Sequence, residues 1–306
     1  QTMSSTYTRY SLSNVKPSEA RRVFASQQYR SSTNGCCDGY LQLNVVIMDK
    51  KYAPHFQTFC ELNPQPAPLL EVLEAGNPFT SRLANKADIR SCLPKYRIHG
   101  SDGTYEECHD ITQHWTKDMV TFLLGCSFSF EKALQHNGIA MRHIDDNLNV
   151  PMYDTNIVTN NVRSFGKHLV VSMRPIKKHQ ILTAYKVTQP FLTAHSAPIH
   201  FGYPQGIGIT NINKPEYGDA VRIADDELPV FWACGVTTQV AVQNALKSGM
   251  VKQVITHSPG HMFISDVKID ASSNLTLFSQ ENTKNVRKAR TKNARNVRSS
   301  SFVSKL

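Results

Sequence analysis

The chain has 306 residues, of which 40% are hydrophobic and 19% are charged, a composition typical of a globular protein with a sizeable core. We expect neither a membrane-spanning helix nor a secretory signal peptide, because no apolar run approaches about 18 residues. The seven cysteines lack framework or paired CxxC spacing, so we expect free thiols in a reducing compartment and no metal site.

The amino end of the chain is polar. Residues 1–14 are predicted to form a polar tail, and residues 18–28 a short helix. The first 35 residues are basic and rich in Ser and Thr, which also fits a mitochondrial transit peptide, and we keep this as an alternative.

The next segments indicate a strand followed by a helix. Residues 40–48 are apolar and predict a buried strand, entered through a turn with two glycines. Residues 52–62 predict a helix that must end before the proline-rich segment 63–68. Residues 76–112 indicate loops with short strands.

A strand-to-helix junction dominates the centre of the sequence. The apolar run 119–124 predicts a strand, and residues 132–136 predict a helix, so Cys126 lies where the one becomes the other. Such a junction offers free backbone N–H groups and the positive end of a helix dipole. We expect an anion to bind there and the thiol to lose its proton more easily than usual.

Residues 139–213 show weak helical periodicity and short extended runs, such as 169–173 and 207–209. A second junction follows, in which strand 229–235 leads through Cys234 into helix 237–246, and strand 251–256 comes after it. We therefore predict an α/β fold with a three-layer α/β/α core. This core comprises residues 15–138 and 214–270, residues 139–213 form an inserted smaller α+β lobe, and the ligand cleft lies between them.

The carboxyl end carries most of the net charge. After residue 280 there are eight Lys or Arg and one Glu, so residues 271–306 are predicted to be a basic tail. The chain ends in Ser304, Lys305 and Leu306, a peroxisomal address that an import receptor would bind. We expect a peroxisomal location, with the mitochondrion as the alternative.

Two histidine-containing turns resemble each other. One runs from His195 to His200, the other from His257 to His261, and both are rich in Ser and Pro. Together with the two cysteine-led junctions, they suggest histidines and helix N-termini that face one cleft.

Several motifs along residues 17–266 resemble the D-glutamate cyclase family. The matching motifs are GYLQLN at 39–44, ADIR at 87–90, LPKYR at 93–97, GCSFSFE at 125–131, MRHI at 141–144, NVPMY at 149–153, VVSMRP at 170–175, PIH at 198–200, GDAV at 218–221, FWACGVT at 231–237 and ITHSPGHM at 255–262. The loop with Cys36 and Cys37, and Ala67 between two prolines, depart from the family pattern. The resemblance implies a two-lobed α/β fold and a hydro-lyase that interconverts D-glutamate and 5-oxo-D-proline without a cofactor.

This reaction requires cations that bind the carboxylates, a base that transfers a proton, and hydrogen-bond donors that stabilise the oxyanion. Arg142 and Arg174 are candidates to bind the two carboxylates, although either could instead form a structural ion pair. His143, Thr237 and Asn44 complete the predicted substrate-binding set.

The candidate bases are His200, His257 and His261, besides His143, because imidazole titrates near neutral pH. Backbone N–H groups after Cys126 and Cys234, with Ser127 or Thr237, would stabilise the oxyanion. Either cysteine could alternatively act as a nucleophile and form a thioester, or simply fill space in the core.

Two other functions remain open. One is a hydratase or hydrolase of another small dicarboxylate or lactam. The other is a binding protein that uses the basic tail on polyanions such as nucleic acid or anionic lipid. A homodimer is also possible.

Overall fold

The computed structural model describes residues 7–146 and 148–269. The predicted basic tail 271–306 and the terminal Ser304-Lys305-Leu306 signal therefore lie outside the described residues, as do residues 1–6 of the predicted polar tail.

The α-helices of the described part are short and lie between strands. They are α1 (Pro17–Ala25), α2 (Ala53–Leu62), α3 (Phe128–His136), α4 (Arg142–Asp145), α5 (Ile181–Thr188) and α6 (Val236–Lys247).

The larger sheet has seven strands in the order β2-β5-β1-β10-β3-β4, with β11 also paired to β1. Its strands are β1 (Tyr40–Asp49), β2 (Leu69–Leu73), β3 (Tyr96–Gly100), β4 (Tyr105–Cys108), β5 (Met119–Gly125), β10 (Gln253–His257) and β11 (Phe263–Lys268).

The smaller sheet has four strands in the order β6-β7-β9-β8. These strands are β6 (Met152–Val158), β7 (His168–Lys177), β8 (His200–Phe201) and β9 (Glu227–Ala233). The predicted division into lobes stays a prediction.

The predicted three-layer α/β/α fold is wrong, because every strand pairing in the described residues is antiparallel and the protein is a mixed α+β fold. A parallel core needs each helix to return the chain to the sheet it left. Here α3 leads from β5 in the larger sheet to the smaller one, and α6 leads from β9 back to the larger. The local pattern of strand then helix was correct, but the crossover it suggested does not occur.

Strand β1 lies at the centre of the larger sheet and separates two apolar clusters. Alternate residues such as Leu43 and Val45 face one cluster, and Val46 and Met48 face the other. Helices α2 and α6 cover the second cluster, whereas the irregular segment 83–93 covers the first. No α-helix in the described part of the chain contributes a residue to the first cluster.

Most predicted elements of the chain are present with shifted ends, including β1, β5, β7, β9 and the helices that follow the two cysteine junctions. The predicted extended run at 207–209 is wrong, because a 3-10 turn (Pro204–Ile207) occupies its start. Helix α5 was not predicted, since its mostly apolar face packs under α3 and shows little polar contrast in sequence.

None of the helices within residues 7–146 and 148–269 has the length and apolarity that crossing a bilayer requires.

Candidate active site

A cavity of about 240 Å³ lies where the two sheets meet. The first turns of α3 and α6 form part of its wall, and the central strand β1 contributes Asn44. The loops after β10 and before β6 close the remaining sides. The cavity therefore collects both cysteine-led junctions, as we expected of a shared cleft.

Asn44 holds the two junctions together. Its Nδ2 donates a hydrogen bond to the carbonyl of Gly125 at 2.7 Å. On the other side, a Cβ at Gly235 would lie 2.6 Å from the same nitrogen, so only glycine allows this approach. At Gly125 a Cβ would lie 1.5 Å from the carbonyl oxygen of Thr193. Gly235 thus lets the N-terminus of α6 approach the Asn44 amide, and Gly125 lets the backbone of Thr193 approach the first junction.

The two thiols line the cavity but are held in the neutral form. Burial raises the pKa of Cys126 to about 12 and that of Cys234 to about 11. The N–H groups of Phe128 and Val236 point at these sulfurs and lower the pKa values, but burial outweighs them. The expectation of an easily ionised thiol at Cys126 is therefore wrong.

His257 stands at the end of β10, with its ring in the cavity wall. Strand β1 pairs with β11 up to Leu43 and with β10 from Val46, and the imidazole occupies the gap between the two ladders. The N–H of Val45 donates to His257 Nδ1 at 3.2 Å, closer than the 3.4 Å to the Val45 carbonyl. Both contacts involve Nδ1, so this atom accepts from the Val45 N–H when the proton is on Nε2, and donates to the Val45 carbonyl when the proton is on Nδ1.

His195 is a residue that the sequence reasoning noticed only as part of a repeated turn. It is 1% exposed and also lines the cavity. Its Nδ1 lies 2.8 Å from the carbonyl oxygen of Gln65, so Nδ1 carries the proton and donates it. The free nitrogen, Nε2, is then a hydrogen-bond acceptor.

With the His257 proton on Nε2, the two cavity histidines have opposite polarity. Burial lowers the pKa of each to about 4, so both rings are neutral at physiological pH. His195 offers a lone pair on Nε2 and His257 offers an N–H on Nε2. One ring can accept a proton while the other donates a hydrogen bond.

Arg174 does not line the cavity. It is 1% exposed and forms an ion pair with Glu131 of α3, which also accepts a hydrogen bond from His143 at 3.1 Å. Burial opposes ionisation of Glu131, but the Arg174 guanidinium and His143 outweigh it and hold the pKa of the carboxyl at about 2. Arg174 also donates to Ser127 Oγ at 3.4 Å, so this network supports the cavity wall from behind.

Arg142 and Thr237 also lie outside the cavity lining. The Arg142 guanidinium makes two hydrogen bonds to the Glu227 carboxylate, at 2.6 and 2.8 Å. Thr237 Oγ1 accepts from the N–H of Val170 at 3.0 Å and ties α6 to β7. The Arg142–Glu227 pair is the structural ion pair that we kept as the alternative for this arginine, and the Thr237 bond likewise links parts of the fold.

The second histidine of each predicted pair, His200 or His261, does not line the cavity. His200 Nε2 lies 2.7 Å from the carbonyl oxygen of Tyr203. His261 contacts the carbonyl oxygens of Pro259 and Arg30, at 2.8 and 3.3 Å. The structure therefore brings together His195 and His257, the first histidine of each pair, and neither pair lines the cavity as a whole.

Among the described residues, the cavity lining contains no Lys, Arg, Asp or Glu. The sequence analysis also missed the polar lining residues Asn149, Tyr217 and Gln239, and burial raises the pKa of the Tyr217 phenol to about 12. A bound carboxylate would therefore be stabilised by the N-termini of α3 and α6 and by neutral donors. Within residues 7–146 and 148–269, no group of three or more His, Cys, Asp and Glu could hold a metal ion. The roles of the predicted site residues stay predictions.

Comparison with known proteins assigns a family. Residues 120–266 match the family model described as D-glutamate cyclase. A protein of Thermoanaerobacter sp. strain X514, named "Putative hydro-lyase Teth514_1597", is 47% identical over 83% of this chain and 95% of its own length. "Putative hydro-lyase YcsI" of Bacillus subtilis strain 168 is 47% identical over 83% of this chain and 97% of its own length. The chain belongs to the D-glutamate cyclase family of enzymes.

Proposed function

We propose that the protein is a hydro-lyase that interconverts D-glutamate and 5-oxo-D-proline, with water lost or gained. The observation that carries this proposal is one small cavity that holds two buried, neutral histidines and two helix N-termini, in a chain of this family.

The size and charge of the cavity suit such a substrate. Its volume of about 240 Å³ is below the roughly 300–1,000 Å³ of sites for drug-sized ligands. The positive end of a helix dipole stabilises a carboxylate without a counter-ion. The α-carboxylate of either compound would lie at the positive end of α6 or α3, beside Val236 or Phe128.

His195 would act as the base in ring opening. Its Nε2 takes a proton from water as the water oxygen bonds to the lactam carbonyl carbon. The carbon–nitrogen bond then breaks, and the imidazolium returns the proton to the leaving nitrogen. An imidazolium of low pKa is a strong acid, so this return is favourable. Ring closure follows the same steps in reverse.

His257 would stabilise the charge that develops during this step. The carbonyl oxygen becomes an oxyanion when water adds, and it needs donors fixed in advance. The Nε2–H of His257 would donate one hydrogen bond, and the positive end of the other helix would stabilise the same charge. The neutral thiols of Cys126 and Cys234 take no part in bond formation in this scheme, because few are ionised near pH 7.

The proposal is tested by incubating the purified full chain separately with both enantiomers of glutamate and of 5-oxoproline. Chiral chromatography with mass detection would follow each reaction. We expect conversion of the D-enantiomers, and a loss of about 10²- to 10⁴-fold in kcat for His195→Asn. His179→Asn, an exposed residue outside the cavity, is the matched control and should keep full activity.

Other outcomes would replace the proposal. Turnover of another small dicarboxylate or lactam, with none on the D-compounds, would make the protein a different hydratase or hydrolase. Equal activity of wild type and His195→Asn would remove His195 from the chemistry.

A further inference from the structure

The proline-rich segment 63–68, which the sequence analysis used only as the end of a helix, contacts two parts of the cavity wall. The carbonyl of Pro68 accepts a hydrogen bond from the N–H of Gly125 at 2.9 Å, at the start of the first junction. The carbonyl of Gln65 fixes the Nδ1 of His195. The segment thus reaches both the α3 junction and the histidine that we propose as the base.

The turn that carries His195 is strained. His195 has φ 75° and Ser196 has φ 59°, two consecutive residues with side chains in the left-handed region. Such a conformation is costly for residues other than glycine and persists only where neighbouring groups hold it. Without an external hold, the turn would relax and the imidazole would move with it. Ser196 is held by its N–H, which donates to the carbonyl of Phe191 at 2.9 Å, and by its Oγ, which donates to the carbonyl of Gln189 at 2.9 Å.

The side chain of Gln65 adds the hold on the residues to either side of Ser196. Its Nε2 donates to the carbonyl of His195 at 3.0 Å and to the carbonyl of Ala197 at 2.9 Å. The two bonds lie on either side of Ser196 and use both donors of the amide. Gln65 therefore binds the turn through its side chain and the imidazole through its backbone.

The flanking residues make this hold rigid. Pro64 and Pro66 fix the backbone on both sides of Gln65, because each proline restricts its own φ and disfavours helix in the residue before it. The side chain of Asn63 accepts a hydrogen bond from the N–H of Asn160 at 2.9 Å and anchors the start of the segment.

We propose that Gln65 is a positioning residue, which holds the strained 195–196 turn so that His195 Nε2 faces the cavity as an acceptor. This inference rests on the proposed role of His195 as the base. It adds that the proline-rich segment sets the orientation, tautomer and desolvation of that base.

The test compares Gln65→Leu with wild type in two independent measurements. Steady-state kinetics on 5-oxo-D-proline should show kcat lower by about 10- to 100-fold, with little change in KM. Nitrogen-15 NMR of the histidine rings should show that the pKa of His195 moves from about 4 toward its ordinary value, because the released ring gains contact with water. Gln57→Leu, which removes a surface amide on α2, is the control and should change neither measurement.

A second variant separates positioning from general loss of fold. Glycine adopts a positive φ without strain, so Gln65→Leu combined with Ser196→Gly should recover part of the lost kcat and lower the pKa of His195 again. Unchanged kcat and an unchanged His195 titration in Gln65→Leu would overturn the proposal. The NMR result is informative even if the wild type does not act on 5-oxo-D-proline, so failure of the proposed reaction and failure of the positioning role are distinguishable.

Discussion

Replacing His195 by Asn should change both catalysis and acid stability, and the structure gives the size of the second effect. In the folded protein burial lowers the pKa of His195 to about 4, from an ordinary value of 6.5. The unfolded chain therefore binds this proton first as the pH falls, and the folded state loses stability between about pH 6.5 and 4. A separation of about 2.5 pH units, at about 1.4 kcal/mol each, predicts a loss of about 3 kcal/mol from this residue.

Urea unfolding at pH 7 and at pH 4 measures this difference. The free energy of unfolding should fall by about 3 kcal/mol more in the wild type than in His195→Asn, because Asn has no proton to bind in this range. Loss of the base should also lower kcat by about 10²- to 10⁴-fold at pH 7.

The pH dependence of kcat/KM in the wild type should follow the same group. Because His195 remains neutral down to about pH 4, kcat/KM should stay high as the pH falls through 6.5, and the midpoint of the acid limb should lie well below pH 6.5. A midpoint near 6.5, together with equal acid sensitivity of the two proteins, would refute a buried neutral base at residue 195.

Five further substitutions test the cavity wall and the ion pairs that support it. Arg174→Lys should lower the free energy of unfolding by about 2 kcal/mol or more, because the guanidinium–Glu131 pair is buried, and should leave KM unchanged, because the pair lies behind the cavity. Arg142→Lys should lower the free energy of unfolding by only about 1 kcal/mol, because its pair with Glu227 is more exposed. Cys126→Ser should keep kcat within about tenfold, and iodoacetamide at pH 7 should not inactivate the wild type, since the thiol is neutral and buried; rapid inactivation would restore a nucleophilic cysteine. Gly125→Ala should fail to give folded protein by circular dichroism, because the clash is with a backbone carbonyl, whereas Gly235→Ala should fold with reduced activity as the Asn44 amide moves; equal behaviour of the two would contradict the packing described.

The sequence was informative wherever local chemistry decides structure. The apolar run at 40–48 located β1, and the apolar run that ends at Gly125 and Cys126 located the first junction. Which sheet each strand joins is a matter of long-range pairing, and neither junction contains that information. The antiparallel arrangement could therefore not be read from the strand-then-helix pattern.

The site was predicted in part for the same reason. The two cysteine junctions and His257 meet at the cavity because each follows a recognisable strand. Arg174 looked like a carboxylate ligand, but its partner Glu131 is 43 residues away in sequence, and only the fold shows that the two are paired. His195 was missed as a base because its environment depends on Gln65, which is 130 residues away.

The most direct test of the central claim is the incorporation of oxygen from labelled water. The wild type and His195→Asn would be incubated with 5-oxo-D-proline in water enriched in oxygen-18, and the glutamate formed would be analysed by mass spectrometry. We expect the wild type to form D-glutamate with label in the γ-carboxylate, and His195→Asn to form at least about a hundredfold less. If the wild type forms no labelled glutamate, or if both proteins form equal amounts, His195 is not the base that adds water to the lactam in this cavity.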